Sequence, residues 1–451
     1  MTLGNMIRSA KKILRYYTID DWCLGRQFAM HGYGLTNETR GHALKTLLLM
    51  TGTEMYQHNP KRALTLLRRL AENGQFQPAR EFLEKEGITD LNPLQPCDIC
   101  GGVMDKLHEA AQAVISTLEG WEAASILIGT KVSPTIIEKE EQLRSELKID
   151  NGEPIKAELN REIGKLVTNQ LDLNVDFDSP DIVALTRIPE FDVELEVHSL
   201  FLYGRYQKQV RGIPQTRWPC RECRGKGCPR CNHTGKMYAE SVEELIAPTV
   251  LEFTKGTDVK FHGAGREDID ALMLGSGRPF VIEVLRPRTR TIPLNQVERQ
   301  INKSTKGKVK VTNLRFANKE VVQRLKSTAT LSKKVYKAIM HVEAPIAQDA
   351  LKRLQELPLP IQIHQRTPQR VSHRRSDRVR KKRVDAVEVV AIDPKTFELT
   401  ITCQGGLYVK EFISGDEGRT IPSISEILDT PAECTQLDVI DVAIVEDKLP
   451  W

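Results

Sequence analysis

The sequence lacks the features that would place it in a membrane or a secretory compartment. No apolar run approaches the roughly 20 residues that a membrane-spanning helix needs. The basic N-terminus, MTLGNMIRSAKKILRYY, has no apolar signal-peptide core. Aromatic residues are only 6% of the 451 residues and the net charge is a mild +5, so composition alone does not indicate nucleic acid. We therefore expect a cytoplasmic protein with no membrane partner.

Phosphate-cradling loops are also missing. The glycines from Gly263 to Gly277 do not follow the G-x-G-x-x-G spacing of a dinucleotide-binding fold, and no Gly-Lys-Ser/Thr of a Walker loop follows them. This absence weakens the hypothesis of a methyltransferase with a bound adenosyl cofactor.

Nine cysteines are present, and in a reducing compartment they indicate metal-bound thiolates rather than disulfides. The strongest pattern is CRECRGKGCPRC, in which Cys220, Cys223, Cys228 and Cys231 have the spacing C-x2-C-x4-C-x2-C. Two such turns complete a tetrahedral zinc site and leave no position for water. The pattern therefore predicts a structural zinc ribbon.

A second cysteine set is less complete. The motif CDIC supplies Cys97 and Cys100, and Cys23 could join them from a distance to bind zinc. Buried cysteines without a metal are the alternative. Three side chains are candidates for the fourth ligand: Asp20, His31 and His108. Asp20 is the best placed, because it lies three residues before Cys23.

The pattern of apolar residues changes along the chain. Helical spacing dominates residues 1–120, and residues 151–171 form a clear amphipathic helix. Residues 191–208 alternate and predict one strand. Short strands without repeated helical crossovers follow residue 246. The chain is therefore predicted to be a multidomain α+β protein with a mainly antiparallel C-terminal sheet.

The segment RTPQRVSHRRSDRVRKKR contains nine Lys or Arg residues and one acid. Such runs are often solvated surface. Arginine also suits bidentate phosphate contacts, so we favour binding to an RNA backbone. The arginines assigned to this role are Arg366, Arg370, Arg374, Arg375 and Arg378.

The stretch GREDIDALMLGSGRPF places three acids between glycines: Glu267, Asp268 and Asp270. Positive charge from Arg266 and Arg278 would keep a carboxylate ionised. Such a carboxylate is a nucleophile, a base or a salt-bridge partner. From the residues alone, a salt bridge is the favoured interpretation.

Several long motifs, in the same order, resemble the archaeal tRNA pseudouridine synthase family that carries a THUMP domain and acts on the TΨC arm. GREDIDALMLGSGRPFVIEV is similar to its active-site loop, and CQGGLYVKEFISGDEGRTIPSI to a later catalytic motif. CLGRQFAMHGYGLTNETRG and LYGRYQKQVRGIPQTRWPC resemble its N-terminal and THUMP-to-ribbon regions. The resemblance spans nearly the whole chain. It departs from the family at Asp20, where members often have the first cysteine of a C-x2-C pair.

The resemblance implies isomerisation of uridine to pseudouridine in tRNA, at positions 54 and 55, without a catalytic cofactor. By this resemblance Asp268 is the catalytic carboxylate, Tyr336 stacks on the target base, and Tyr408 and Lys410 bind the substrate. Lys410 is expected to pair with Asp268. Core packing is the alternative for each tyrosine. A non-catalytic, zinc-containing tRNA-binding protein is the alternative for the whole chain.

The resemblance and the composition together predict four regions. Residues 1–70 form an N-terminal helical region, and residues 71–212 a THUMP-containing RNA-binding domain. Residues 213–245 form the zinc ribbon and a linker. Residues 246–451 form the pseudouridine synthase catalytic domain.

Overall fold

Helical apolar spacing shapes the first part of the chain. In the helix Pro60–Ala71, for example, the buried residues Ala63, Leu67 and Leu70 recur on one face. A computed structural model describes residues 3–150, 152–329, 332–443 and 449–450. It divides into two units, Met1–His198 and Ser199–Trp451. The helices of the first unit are α1 (Leu3–Tyr16), α2 (Asp21–Arg26), α3 (Asn37–His58), α4 (Pro60–Ala71), α5 (Gln77–Lys85), α6 (Leu107–Leu118), α7 (Pro134–Leu147) and α8 (Ile155–Leu171).

A small sheet follows the helices of the first unit. Its strands are β1 (Ser125–Val132), β2 (Asn174–Val175), β3 (Ile182–Ile188) and β4 (Val193–Val197), in the order β2-β1-β3-β4. β1 pairs in parallel with β2 and β3, and β3 pairs antiparallel with β4. Helix α8 packs on β1. The predicted helix at 151–171 is therefore present from Ile155 to Leu171, where it packs on the sheet, and residue 151 lies outside the described residues.

The single strand predicted over residues 191–208 is wrong. The extended segment is interrupted at His198 and Ser199. Strand β4 ends at Val197, and β5 (Leu200–Lys208) belongs to the second unit. β5 pairs on both sides within the large sheet of that unit. Alternation of apolar residues is the same in both segments, so periodicity does not reveal that they join different sheets. The region predicted to end at residue 212 therefore includes a strand of the second unit.

The second unit is built on one large sheet. Its remaining strands are β6 (Asp258–Gly263), β7 (Leu272–Leu285), β8 (Val309–Ala317), β9 (Lys333–Val342), β10 (Ile361–Arg366), β11 (Val379–Asp393), β12 (Thr396–Gln404), β13 (Thr420–Ile421) and β14 (Ala432–Val442). Its helices are α9 (Val242–Thr254), α10 (Leu294–Ser304), α11 (Lys319–Thr328), α12 (Gln348–Gln355), α13 (Val409–Ser414) and α14 (Ile424–Leu428). Buried apolar residues form clusters along this sheet.

The strand order is β13-β10-β11-β12-β9-β14-β7-β5-β8, with β6 paired to β7. All pairings between these described strands are antiparallel except that of β7 with β14. The predicted mainly antiparallel sheet is therefore present. β7, β14 and β9 are neighbours at its centre, and the loop before β7 is the acidic stretch identified in the sequence.

No helix within the described ranges combines the length and apolar content required to span a bilayer.

Candidate active site

The acidic loop, residues 264–271, connects β6 to β7. Gly265 has a φ of +78°, a conformation that favours glycine. A Cβ built at Gly265 would lie 3.1 Å from Lys334 Nζ and 3.3 Å from an Arg278 guanidinium nitrogen. Glycine at this position therefore lets the loop approach two basic side chains of the sheet.

Two buried cations of the sheet, Lys208 and Arg278, hold the loop through its backbone. Lys208, on β5, donates from Nζ to the carbonyls of Asp268 and Ile269, each at 3.1 Å. Arg278, on β7, donates to the Ala264 carbonyl at 2.8 Å. Burial lowers the pKa of Lys208 below its ordinary value, although Glu267 raises it. Buried donors of the sheet thus hold the backbone that carries Asp268.

Glu267 points into the core. Its carboxylate accepts from Arg278 Nε at 2.8 Å and from the Tyr206 hydroxyl at 2.9 Å, and its side chain has no exposure. Lys208 Nζ lies 4.0 Å from it. Burial, with the Glu267 charge, raises the pKa of Tyr206 well above its ordinary value. The salt-bridge interpretation therefore describes Glu267, whose oxygens are occupied.

Asp268 points the other way, into a cleft. Its side chain is 34% exposed, and its Oδ2 lies 3.3 Å from Arg370 and 3.9 Å from Lys410 Nζ. Lys410 is closer to Asp270, at 2.8 Å. The predicted partner Lys410 therefore contacts both acids, whereas Arg370 is the nearer cation to Asp268.

Asp270 is the most exposed acid of the loop, with 66% of its side chain accessible. Partial burial acts to raise its pKa, but the Lys410 ammonium outweighs this and holds the pKa below the usual value. Asp270 therefore shares a cation with Asp268 at the edge of the cleft.

The two predicted tyrosines lie on elements next to the loop. Tyr336 is on β9, paired with Val439 of β14, and is partly buried between two apolar clusters. Burial raises its pKa well above the ordinary value, and the charge of Asp268 adds to this. Tyr408 caps α13, and the Arg370 guanidinium lies 5.9 Å from its ring centroid. Helix α13 also brings Lys410 to the cleft.

The cleft has a volume of about 220 Å³. Besides the loop, Arg370 and Lys410, its wall includes Gln215 and Trp218, which precede the cysteine motif. The Gln215 amide donates to the Tyr206 hydroxyl at 2.7 Å and to the Gly265 carbonyl at 3.0 Å. Sequence reasoning did not identify these two residues; an aromatic beside a basic ribbon was the available signal for Trp218.

The arginines of the basic run are used in different ways. Arg370 pairs with Glu411 at 2.5 Å as well as with Asp268, so it belongs to the cleft rather than to open surface. Arg366 pairs with Asp377 at 2.6 Å. Arg378 is exposed, and the side chain of Arg374 lies outside the described residues. Charge density in the sequence cannot reveal that the turn after β10 brings Arg370 onto an acid.

Three arginines surround a second cavity of about 360 Å³ beside the cleft. Its lining consists of Arg266, Arg375, Ser376 and Arg380. Arg266 also lines the cleft, and its guanidinium lies 5.4 Å from the ring centroid of Trp218. Guanidinium groups arranged this way suit a phosphate oxyanion.

The four cysteines of the ribbon motif converge. The sulfur atoms of Cys220 and Cys228 are 3.9 Å apart, those of Cys223 and Cys231 3.8 Å, and those of Cys228 and Cys231 3.7 Å. A tetrahedral ion with bonds of about 2.3 Å to sulfur requires separations of about 3.8 Å. The cluster could therefore hold a metal ion.

The second cysteine set also converges, across a large sequence separation. Asp20, Cys23, Cys97 and Cys100 are all buried, with ligand atoms within 4.8 Å of one another. Cys100 Sγ donates to Asp20 Oδ2 at 2.9 Å. Of the three candidates for the fourth ligand, the structure therefore brings Asp20 to the thiols, and neither His31 nor His108 belongs to the described cluster.

The cleft thus combines an accessible carboxylate, two cations beside it, and a backbone held by buried donors. A nucleophile or base held this way loses little entropy on reaction. The neighbouring arginine cavity adds a means of binding phosphate, so the site fits a nucleotide within a nucleic acid.

Comparison with known proteins identifies the family of the chain. The family model "Pus10, C-terminal" matches residues 201–443, and "Pus10 THUMP domain, archaeal" matches residues 110–186. The tRNA pseudouridine synthase Pus10 of Methanothrix thermoacetophila is 43% identical over 441 residues, covering 97% of this chain and 95% of the relative. That of Methanothermobacter marburgensis is 47% identical over 350 residues, covering 77% and 86%.

Among solved structures, a Cbf5-Nop10-Gar1 complex matches 45% of each chain at 19% identity, with a TM-score of 0.27, too low to support an argument. The family models and relatives cover both units of the chain. The chain therefore belongs to the Pus10 family of tRNA pseudouridine synthases, which are isomerases.

Proposed function

We propose that this protein isomerises uridine to pseudouridine at positions 54 and 55 of the TΨC arm of tRNA, with Asp268 as the catalytic carboxylate. The observation that carries the proposal is the contrast between neighbouring acids. Glu267 is fully occupied by Arg278 and Tyr206, whereas Asp268 faces the cleft beside Arg370 and Lys410.

The reaction needs no cofactor because its atoms balance within the nucleotide. Asp268 attacks C1′ or removes a sugar proton, and the bond from N1 to C1′ breaks. The uracil then rotates and C5 bonds to C1′. In the first route this displaces the Asp268 carboxylate from C1′, and in the second Asp268 returns the proton to the sugar. The C5 proton leaves and N1 gains a proton. Arg370 and Lys410 lie beside the Asp268 carboxylate, at 3.3 Å and 3.9 Å, where they can orient it for either route.

The target uridine must leave its stack to reach the carboxylate, which costs a few kcal/mol. Tyr336 and Tyr408 are proposed as the aromatic surfaces that receive the base. The arginines Arg366, Arg375 and Arg378, with Arg374, are proposed to bind the RNA backbone around the site. Arg370 serves Asp268 instead, because its guanidinium is engaged by two acids.

We propose in addition that both cysteine clusters bind structural zinc. The sulfur separations of the ribbon cluster match a tetrahedral site. In the second cluster three thiolates and the Asp20 carboxylate would supply the ligands. Elemental analysis should find one zinc per cluster, and Cys223→Ser should remove the ribbon ion alone.

The proposed activity is tested by tritium release from tRNA labelled at uracil C5. Wild-type protein is incubated with transcripts in which position 54, position 55 or both are changed to cytidine. Modification at both positions is supported if tritium is released from each transcript with one position changed to cytidine and not from the transcript with both positions changed. Binding without tritium release from any transcript would instead support the non-catalytic alternative.

A further inference from the structure

Two helices of the first unit carry charge of a single sign. Helices α1 and α4 each contain four basic residues and no acidic residue, although the chain as a whole has 65 basic and 60 acidic residues. The two helices are in contact. The basic residues are Arg8, Lys11, Lys12 and Arg15 on α1, and Lys61, Arg62, Arg68 and Arg69 on α4.

A groove of about 680 Å³ lies where these helices meet α3. Lys11 of α1, His58 of α3, and Arg62 and Arg69 of α4 line it, with Glu54 as the single acid of its lining. Arg62 and Arg69 are seven residues apart and therefore lie on the same face of α4. The opposite face of α4 packs into the core, so packing fixes which cations face the groove.

Within the described residues no ion pair involves Lys11, Arg62 or Arg69, whereas Arg68 on a different face pairs with Asp90 at 2.5 Å. Converging like charges repel one another unless an anion lies between them. A groove with several lysine and arginine side chains and one acid therefore fits a polyanion better than a single small ligand.

We propose that the groove between α1, α3 and α4 binds the sugar–phosphate backbone of the tRNA substrate. The choice of tRNA as the polyanion rests on the proposed function. The groove lies outside residues 110–186 and 201–443, which the two family models match, and outside the unit that carries Asp268. It would thus add affinity for the RNA without contributing to the chemistry.

The test compares two double variants with the same change in charge. Arg62→Gln with Arg69→Gln removes two groove cations, and Lys85→Gln with Lys139→Gln removes two exposed cations of the same unit outside the groove lining. Binding to a full-length tRNA transcript is measured by fluorescence anisotropy between 50 and 300 mM salt. This binding assay does not depend on catalysis.

The groove variant should bind tRNA roughly tenfold more weakly at low salt than wild type. Its plot of log affinity against log salt should be shallower by about two, since each phosphate contact contributes a slope near 0.9. Its KM for tRNA should rise while kcat stays the same, and the control variant should match wild type.

Equal affinities and slopes for the two double variants would overturn the proposal. The proposal would also be overturned if the groove variant bound tRNA normally but no longer bound an acidic protein partner, because the groove would then serve that protein. If the double variant melts early, Arg62→Glu alone repeats the test, because Arg62 is exposed. Failure of the proposed function would show differently, as absent tritium release from wild type with intact salt-dependent binding.

Discussion

The inner and outer sides of the loop at residues 264–271 carry adjacent acids with opposite environments. Glu267 lies in a buried hydrogen-bond network with Arg278 and Tyr206. Asp268 lies in an open cleft with Arg370 and Lys410. The two acids are adjacent in the sequence, yet the carboxylate of Glu267 is fully hydrogen-bonded and that of Asp268 is accessible to a substrate. We infer that the inner side fixes the loop so that the outer carboxylate can be exposed without becoming mobile.

Asp268→Asn should produce the largest effect, because it removes the outer carboxylate while preserving its shape. Tritium release should fall on the order of 10⁴-fold, with tRNA affinity and thermal stability near wild type. Asp270→Asn is the matched control and should lose far less. Normal release by Asp268→Asn, with loss in Asp270→Asn, would move the catalytic role to Asp270.

Glu267→Gln should affect stability rather than chemistry directly. It leaves the buried Arg278 guanidinium and Lys208 ammonium without a compensating anion, which should cost about 3 kcal/mol of unfolding free energy. Urea denaturation of the variant and of the exposed control Asp270→Asn measures the difference. Equal stability of the two variants would show that the inner network does not support the loop.

Arg370→Met should lower kcat by roughly 100-fold, because it removes the nearer of the two cations beside Asp268. Arg370→Lys should recover part of this loss, since it restores charge without the guanidinium geometry. Lys410→Met provides the comparison, and its smaller effect is expected from the 3.9 Å separation. A larger loss in Lys410→Met would restore Lys410 as the main partner of Asp268.

Sequence patterns were enough for features built from neighbouring residues. The spacing of Cys220 to Cys231 predicts a convergent cluster because the ligands lie on two short turns, and that convergence is present. The helix Ile155–Leu171 and the antiparallel character of the C-terminal sheet also follow from local periodicity. The break at His198 does not, because two strands with the same alternation joined different sheets.

The site itself needed tertiary information. Motif resemblance predicts Asp268 as the catalytic carboxylate, whereas composition alone favours a salt bridge for every acid of the loop. The pairing of Arg370 with Asp268 joins positions 102 residues apart, and the backbone contacts of Lys208 join positions 60 and 61 apart. Neither the Arg370–Asp268 pairing nor the Lys208 contacts leave a signal in the periodicity or spacing of the sequence. Both depend on how the strands are arranged in the fold.

Lys334 tests the inner side of the loop through the pH dependence of stability. It lies on β9 near Gly265, and the groups that influence it are Arg278, Glu267, Lys382 and Cys403. Burial, helped by the Arg278 charge, lowers its pKa from 10.5 to about 7. Between these two values the unfolded chain keeps a proton that the folded protein has released.

Stability should therefore rise with pH between about 7 and 10.5 through this residue, by up to about 1.4 kcal/mol per pH unit. Lys334→Met removes the titrating group, so its unfolding free energy should gain less than that of wild type between pH 7 and pH 9. The exposed neighbour Lys333→Met is the matched control and should follow wild type. Parallel pH dependence of Lys334→Met and wild type in urea denaturation would mean that Lys334 keeps its proton in the fold, and that the inner side of the loop is more polar than its packing indicates.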